Sequence, residues 1–189
     1  MTEESIKQML KDKFKGVGNF QQTEFNSSGG SSRRDFVILG DNYFYYYEIK
    51  TDKDNFSRLP SQISNAIGLF TKMYIVAPVS KIAKLRNMGV AVGLHAVEDL
   101  ENGREWVFED QKVEWRLSIN KVMEILWSED LKGLISDRCQ NYKGLRKSVK
   151  ELQDDFLKFY SDEDCFFVLN KVLPHRKFNY RESNGSKNL

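Results

Sequence analysis

Apolar residues recur along this chain with two different periods. Ile6, Met9, Leu10 and Phe14 fall three or four apart and predict a helix over residues 3–15. "VGNFQQTEF" predicts a first strand over 19–25, and the serine- and glycine-rich stretch 26–32, with Gly29 and Gly30, reads as a loop. "RRDFVILGDNYFYYYEIK" then predicts a hairpin, with strands at 34–39 and 43–50 around a turn at Gly40–Asp41–Asn42. Its aromatic run is expected to pack half into a core and half under helices on the other face. The polar cluster 51–57 is a loop, Ser57 a candidate helix cap, and Pro60 sits in a first turn where its missing N–H costs nothing. Leu59, Ile63, Ala66, Ile67 and Phe70 would form the apolar face of that helix. "KMYIVAP" predicts a strand, 80–87 a helix, "GVAVGLHAV" another strand, and "EWVFE" at 105–109 an edge strand.

From Ser118 to Pro174 the period becomes helical throughout. Leu145, Val149, Leu152, Phe156 and Phe159 fall on one stripe of a single helix, with Lys143, Arg146, Lys147 and Lys150 on another face. The alternation of helices and strands predicts an α/β fold: a mixed sheet flanked by helices, in the order αβββαβ. The expected organisation is a core at 1–110, an α-helical C-terminal subdomain at 111–176 and a frayed tail at 177–189.

Composition narrows the partners. With 40% hydrophobic residues the chain can fill a core, and 29 basic against 27 acidic residues leave a net charge of only +2. Any nucleic-acid surface must therefore be a local patch. No apolar run is long enough to cross a bilayer and the N-terminus carries no apolar signal segment, so a cytoplasmic protein without membrane contact is expected. Cys139 and Cys165 lie outside any CxxC pattern and are expected as reduced thiols. His95 and His175 are not spaced for zinc or catalysis.

The chemistry concentrates in the hairpin. A turn at 40–42 places residues whose numbers sum to about 82 to 84 opposite one another, so Asp35 lies across from Glu48. Like charges ~4 Å apart repel by about 4 kcal/mol at an effective dielectric of 20, an arrangement a sheet keeps only where a cation or a proton offsets it. Lys50, two residues on and on the same face as Glu48, offsets part. Oxygen ligands without histidine or cysteine suit Mg²⁺, with Mn²⁺ able to replace it. Asp35, Glu48 and Lys50 are thus suited to phosphodiester hydrolysis, with Lys50 orienting or deprotonating the attacking water or stabilising the transition state. Arg33, Arg34, Lys53 and Arg58 are candidate backbone contacts to nucleic acid.

"RRD", twelve residues, "EIK", a polar loop and "RLPSQ" opening a helix resemble the PD-(D/E)xK nuclease superfamily, in particular its small stand-alone bacterial and phage members. The resemblance covers residues 3 to about 95. It implies a restriction-endonuclease-like core, with Asp35 and Glu48 as metal ligands and Lys50 as the catalytic lysine. It further implies a glutamate of the first helix as accessory ligand, Glu3 or, as fallback, Glu4, and Gln62 as a site-setting glutamine. Many members carry a tyrosine four residues after that glutamine; here the position is Ala66. The function so implied is a Mg²⁺-dependent nuclease acting on DNA, with RNA an alternative because the site chemistry does not read the sugar. Cutting both strands would require a homodimer or two nicks, and targeting would fall to the helical tail or a protein partner. The competing expectation is a catalytically silent nucleic-acid- or protein-binding module on the same fold.

Overall fold

The computed structural model describes residues 1–26, 33–100, 103–109, 114–144 and 146–176. Six strands lie side by side in sequence order: β1 (Phe20–Asn26), β2 (Arg33–Leu39), β3 (Phe44–Ile49), β4 (Lys72–Pro78), β5 (Gly93–Leu100) and β6 (Gly103–Glu109). β1–β2–β3 and β5–β6 pair antiparallel, whereas β3–β4 and β4–β5 pair parallel. The parallel pairs need crossovers, supplied by α2 (Leu59–Ala66) and α3 (Val79–Asn87). The chain is therefore an α/β protein with a mixed sheet, flanked by helices and followed by a helical C-terminal region, as its sequence predicts.

Strand alternation divides the sheet's side chains between two cores. Phe36, Ile38, Tyr47, Ile49, Tyr74 and Val76 meet Ile6, Met9 and Leu10 of α1 (Glu3–Lys13) on one face. Fully burying residues such as Ile6 and Leu10 contributes about 1.5–3 kcal/mol each. Val37, Leu39, Phe44, Tyr46, Met73 and Ile75 face the other way, into a larger core beneath α2 and α3. The aromatic run splits as expected: Phe44 and Tyr46 to the larger core, Tyr47 to the α1 side with Tyr43 and Tyr45 against it. β4 is buried along almost its whole length because both of its faces are covered, hence its unbroken apolar run.

The C-terminal helices α4 (Ile119–Met123), α5 (Ser128–Arg138), α6 (Val149–Phe156) and α7 (Cys165–Val172) pack on that larger core. Their residues Val122, Leu134, Leu152 and Val168, with Leu173 just beyond α7, belong to the same apolar cluster as Phe25, Phe70 and Leu94. Asn170 reaches from α7 to the hairpin turn, its Nδ2 donating to the Gly40 carbonyl at 3.1 Å.

Several local expectations are corrected. Ser57 does not cap α2: its hydroxyl and amide both turn to Asn55 Oδ1, and Arg58 stands at the cap without a side-chain bond. α2 ends at Ala66 because the chain turns extended at Ile67 and left-handed at Gly68 (φ 82°), so Ile67 is exposed and Phe70 is buried from beyond the helix. β5 starts at Gly93 rather than 89, and the edge strand is longer than 105–109. α6 starts only at Val149, capped by the Ser148 hydroxyl. Lys143, Arg146 and Lys147 therefore precede the helix and share no helical face with Lys150. Of the expected stripe, Leu152 and Phe156 are buried while Val149 and Phe159 are exposed; Leu145 lies outside the described residues, as do 27–32 and the tail 177–189.

Candidate functional site

The hairpin register is Phe36↔Tyr47, Val37↔Tyr46, Ile38↔Tyr45 and Leu39↔Phe44. Each pair sums to 83, so the next position brings residue 35 opposite residue 48. Here the ladder stops being purely backbone. Asp35 Oδ2 accepts the amide of Ile49 at 2.7 Å, while the Lys50 amide crosses to the Val76 carbonyl at 2.8 Å. β3 thus ends between two strands with the amides of Ile49 and of Lys50 beyond it both satisfied, and the side chains there open onto a polar cleft of about 410 Å³. Glu3, Arg33, Arg34, Asp35, Tyr46, Glu48, Lys50, Arg58 and Gln62 all line this cleft.

Glu48 is at the centre, only 3% exposed. Its Oε1 accepts from Lys50 Nζ and from Gln62 Nε2, and its Oε2 accepts from the Tyr46 hydroxyl. Lys50, equally buried, also donates to Gln62 Oε1 at 3.3 Å. Tyr46, Glu48 and Lys50 are alternate residues of one strand and share a face for that reason. Gln62 arrives from the first turns of α2. Such donors satisfy the oxygens of a buried carboxylate and offset the cost of taking it out of water.

Asp35 is half-buried and bears the strain of the arrangement. Burial, and then the charge of Glu48, push its carboxyl up to about 7, although the Ile49 amide pulls the other way. Burial and the Glu48 carboxylate likewise hold the Tyr46 hydroxyl well above its ordinary range, so it remains a donor. Arg34 is 6% exposed, with its guanidinium 5.8 Å from the Phe70 ring centroid. Burial draws its pKa down, but an arginine stays charged.

A second network runs behind the cleft. Lys7 of α1 is buried and ion-paired to both Glu3 and Glu24, and Arg33 pairs with the other oxygen of Glu24. Burial lowers the Lys7 pKa, but the bonds and charges of Glu24 and Glu3 outweigh it and leave it raised. Glu3 thereby faces the cleft, whereas Glu4 lines a separate cavity of about 580 Å³ on the α1 side.

The structure thus gathers Asp35, Glu48, Lys50, Gln62, Glu3, Arg33, Arg34 and Arg58 about one cleft. Lys53 is exposed and does not line it. Tyr46, Asp54, Ser61 and Asn65 line it without having been singled out in the sequence. Asp54 stiffens the loop after β3: its Oδ2 accepts the Thr51 amide and hydroxyl, both at 2.7 Å. Among the described residues no three carboxylate, histidine or cysteine side chains form a ready-made metal cage. Asp35 and Glu48 fit a hard cation as an oxygen pair whose like charges favour one.

Fold and site together define a mixed α/β protein with a buried carboxylate–lysine pair at the end of a parallel strand, rimmed by arginines. The model of the family described as Bacteriophage P4 protein cII matches residues 2–162, and the chain belongs to that family. No curated protein matches it. A solved structure, of a protein of unknown function from Silicibacter pomeroyi, is 15% identical over 67% of this chain and 84% of that one, with a TM-score of 0.41. Among the described residues no helix is long and apolar enough to cross a membrane.

Proposed function

We propose that this chain is a metal-dependent nuclease of the PD-(D/E)xK type that hydrolyses DNA phosphodiester bonds. The observation that carries the reading is the gathering of Asp35, Glu48, Lys50 and Gln62 in one cleft with Arg33, Arg34 and Arg58 on its rim. Asp35 and Glu48 would hold Mg²⁺, or Mn²⁺ in its place, with water and a substrate phosphate filling the remaining positions. The ion, when bound, supplies charge neutralisation at the scissile phosphate and a more acidic water. The arginines would grip non-bridging phosphate oxygens on either side of the cut. Lys50, held at the cleft by Glu48 and Gln62, is placed to orient the attacking water and offset charge building on the phosphorane. Tyr46 and Gln62 fix the Glu48 carboxylate from opposite oxygens, so its direction is set before substrate arrives.

One observation favours a second reading. Three protein donors already engage Glu48, as in an ion cluster that closes a sheet end in a binding module without catalysis. Titration of Mn²⁺ into wild type, Glu48→Ala and Glu48→Gln by calorimetry, followed by assays on single-stranded, duplex and branched DNA, separates the two. The nuclease reading expects Mn²⁺ binding and cleavage in wild type and loss of both in the variants. Tight DNA binding without Mn²⁺ binding or cutting establishes the binding module.

A further inference from the structure

Opposite Asp35, on the neighbouring strand, stands an unusual residue. Glu24 of β1 has φ 55° and is the one non-glycine residue with positive φ among those described. It lies opposite Asp35, between the pairs Thr23↔Phe36 and Phe25↔Arg34, and makes no ladder pair itself. The residues on either side show what this does. In a regular strand, residues two apart share a face. Phe36 packs into the α1-side core, and Thr23, its cross-strand partner, shares that face. Phe25, two residues on, is buried in the opposite core, and its partner Arg34 lies over Phe70 of that same core. The faces of both strands therefore exchange across Glu24 and Asp35. That exchange brings Arg34 to the cleft and lets Asp35 reach the Ile49 amide from the strand end.

Glutamate does not choose the left-handed region unaided. Its carboxylate is clamped between Lys7 and Arg33, and through them it is tied to Glu3 and to the rim of the cleft. Strained backbone held in this way concentrates at functional sites.

We infer that Glu24 is a positioning residue of the cleft, whose left-handed backbone seats Asp35 and Arg34. The inference rests on the nuclease reading for its effect on activity, but not for its effect on structure. Glycine adopts this conformation freely, whereas alanine and glutamine must be forced into it without the ion pairs. The order of the variants is therefore the reverse of ordinary strand preference, in which alanine outperforms glycine.

The test compares Glu24→Gly, Glu24→Ala and Glu24→Gln in the full chain by hydrogen exchange at the Ile49 amide, Mn²⁺ titration and kcat against KM on DNA. Glu24→Gly is expected to keep Ile49 protection and to hold its Mn²⁺ Kd within about threefold of wild type. Glu24→Ala and Glu24→Gln should lose that protection and weaken Mn²⁺ binding about tenfold or more, with the loss in kcat rather than KM. If Glu24→Ala fails to fold while Glu24→Gly folds, the same ordering holds and Glu24→Gln supplies the binding data. Equal behaviour of the three variants, or a Glu24→Gly that fails to fold, overturns the inference. A wild type with a protected Ile49 amide but neither Mn²⁺ binding nor cleavage overturns the nuclease reading alone.

Discussion

Asp35 and Ile49 are joined across the end of the hairpin by a single bond, the Ile49 amide donating to Asp35 Oδ2 at 2.7 Å. A carboxylate thus serves where β2 and β3 stop pairing through their backbones, and it does so beside the charge of Glu48. The folded protein holds the Asp35 proton more tightly than the unfolded chain, at about 7 against 3.8. Between those values the folded state binds the extra proton, so metal-free stability falls as pH rises from about 4 to 7. Asparagine can accept the same amide bond without that titration. Asp35→Asn is therefore expected to melt several degrees above metal-free wild type at pH 8 and to converge with it near pH 4. The upper bound is about 4 kcal/mol, reduced by the water that reaches a half-buried group. Thermal melts from pH 4 to 8 in chelator check this; parallel curves would remove the Asp35–Glu48 repulsion from the account.

Tyr46→Phe deletes the hydroxyl that donates to Glu48 Oε2 while keeping the ring in the core. Loss of a hydrogen bond to a buried charge costs about 1.5–3 kcal/mol of stability. Partners behind a metal ligand are worth about 10–100-fold in metal affinity or activity. Denaturant unfolding and Mn²⁺ titration of the same variant measure both, and an unchanged Kd would leave Tyr46 as core packing.

Lys50→Met breaks a buried ion pair and leaves Glu48 to Tyr46 and Gln62. Breaking such a pair destabilises by about 3–5 kcal/mol, and on the nuclease reading cleavage is expected to fall about a hundredfold or more. Cleavage that survives in the folded fraction would assign the proton transfer and charge stabilisation elsewhere.

Arg58 and Lys53 are five residues apart but differ in place, Arg58 on the cleft and Lys53 exposed away from it. Arg58→Ala should weaken DNA binding regardless of sequence and flatten the salt dependence by about one unit in the log–log slope. Lys53→Ala should leave that slope unchanged. Binding isotherms between low and moderate salt distinguish them.

How far the sequence could be read follows from which forces act locally. The Asp35–Glu48 opposition was legible because a short turn fixes hairpin register, and every observed pair sums to 83. Tyr46 was read only as packing, although its place two residues before Glu48 and four before Lys50 already put all three on one face. Ile67 and Phe70 continue the apolar period past the end of α2, whereas Gly68 carries the stop. Glu24 had no signal at all. Glutamate has no preference for the left-handed region, and its conformation is imposed by Lys7 and Arg33, seventeen and nine residues away in the chain.

The apolar cluster that runs from Phe25 to Leu173 has a consequence for when the cleft comes into being. A ribosome releases the sheet with α2 and α3 first, and the part of the face around Phe44, Phe70 and Leu94 that the C-terminal helices cover is still wet. α7, which completes the cover of that face, emerges about sixty residues later, and Asn170 then fastens the hairpin turn from outside. The strands that carry Asp35, Glu48 and Lys50 thus become rigid only once α7 has left the ribosome. A message broken after β6 would yield sticky sheets destined for proteolysis rather than a shortened but working protein.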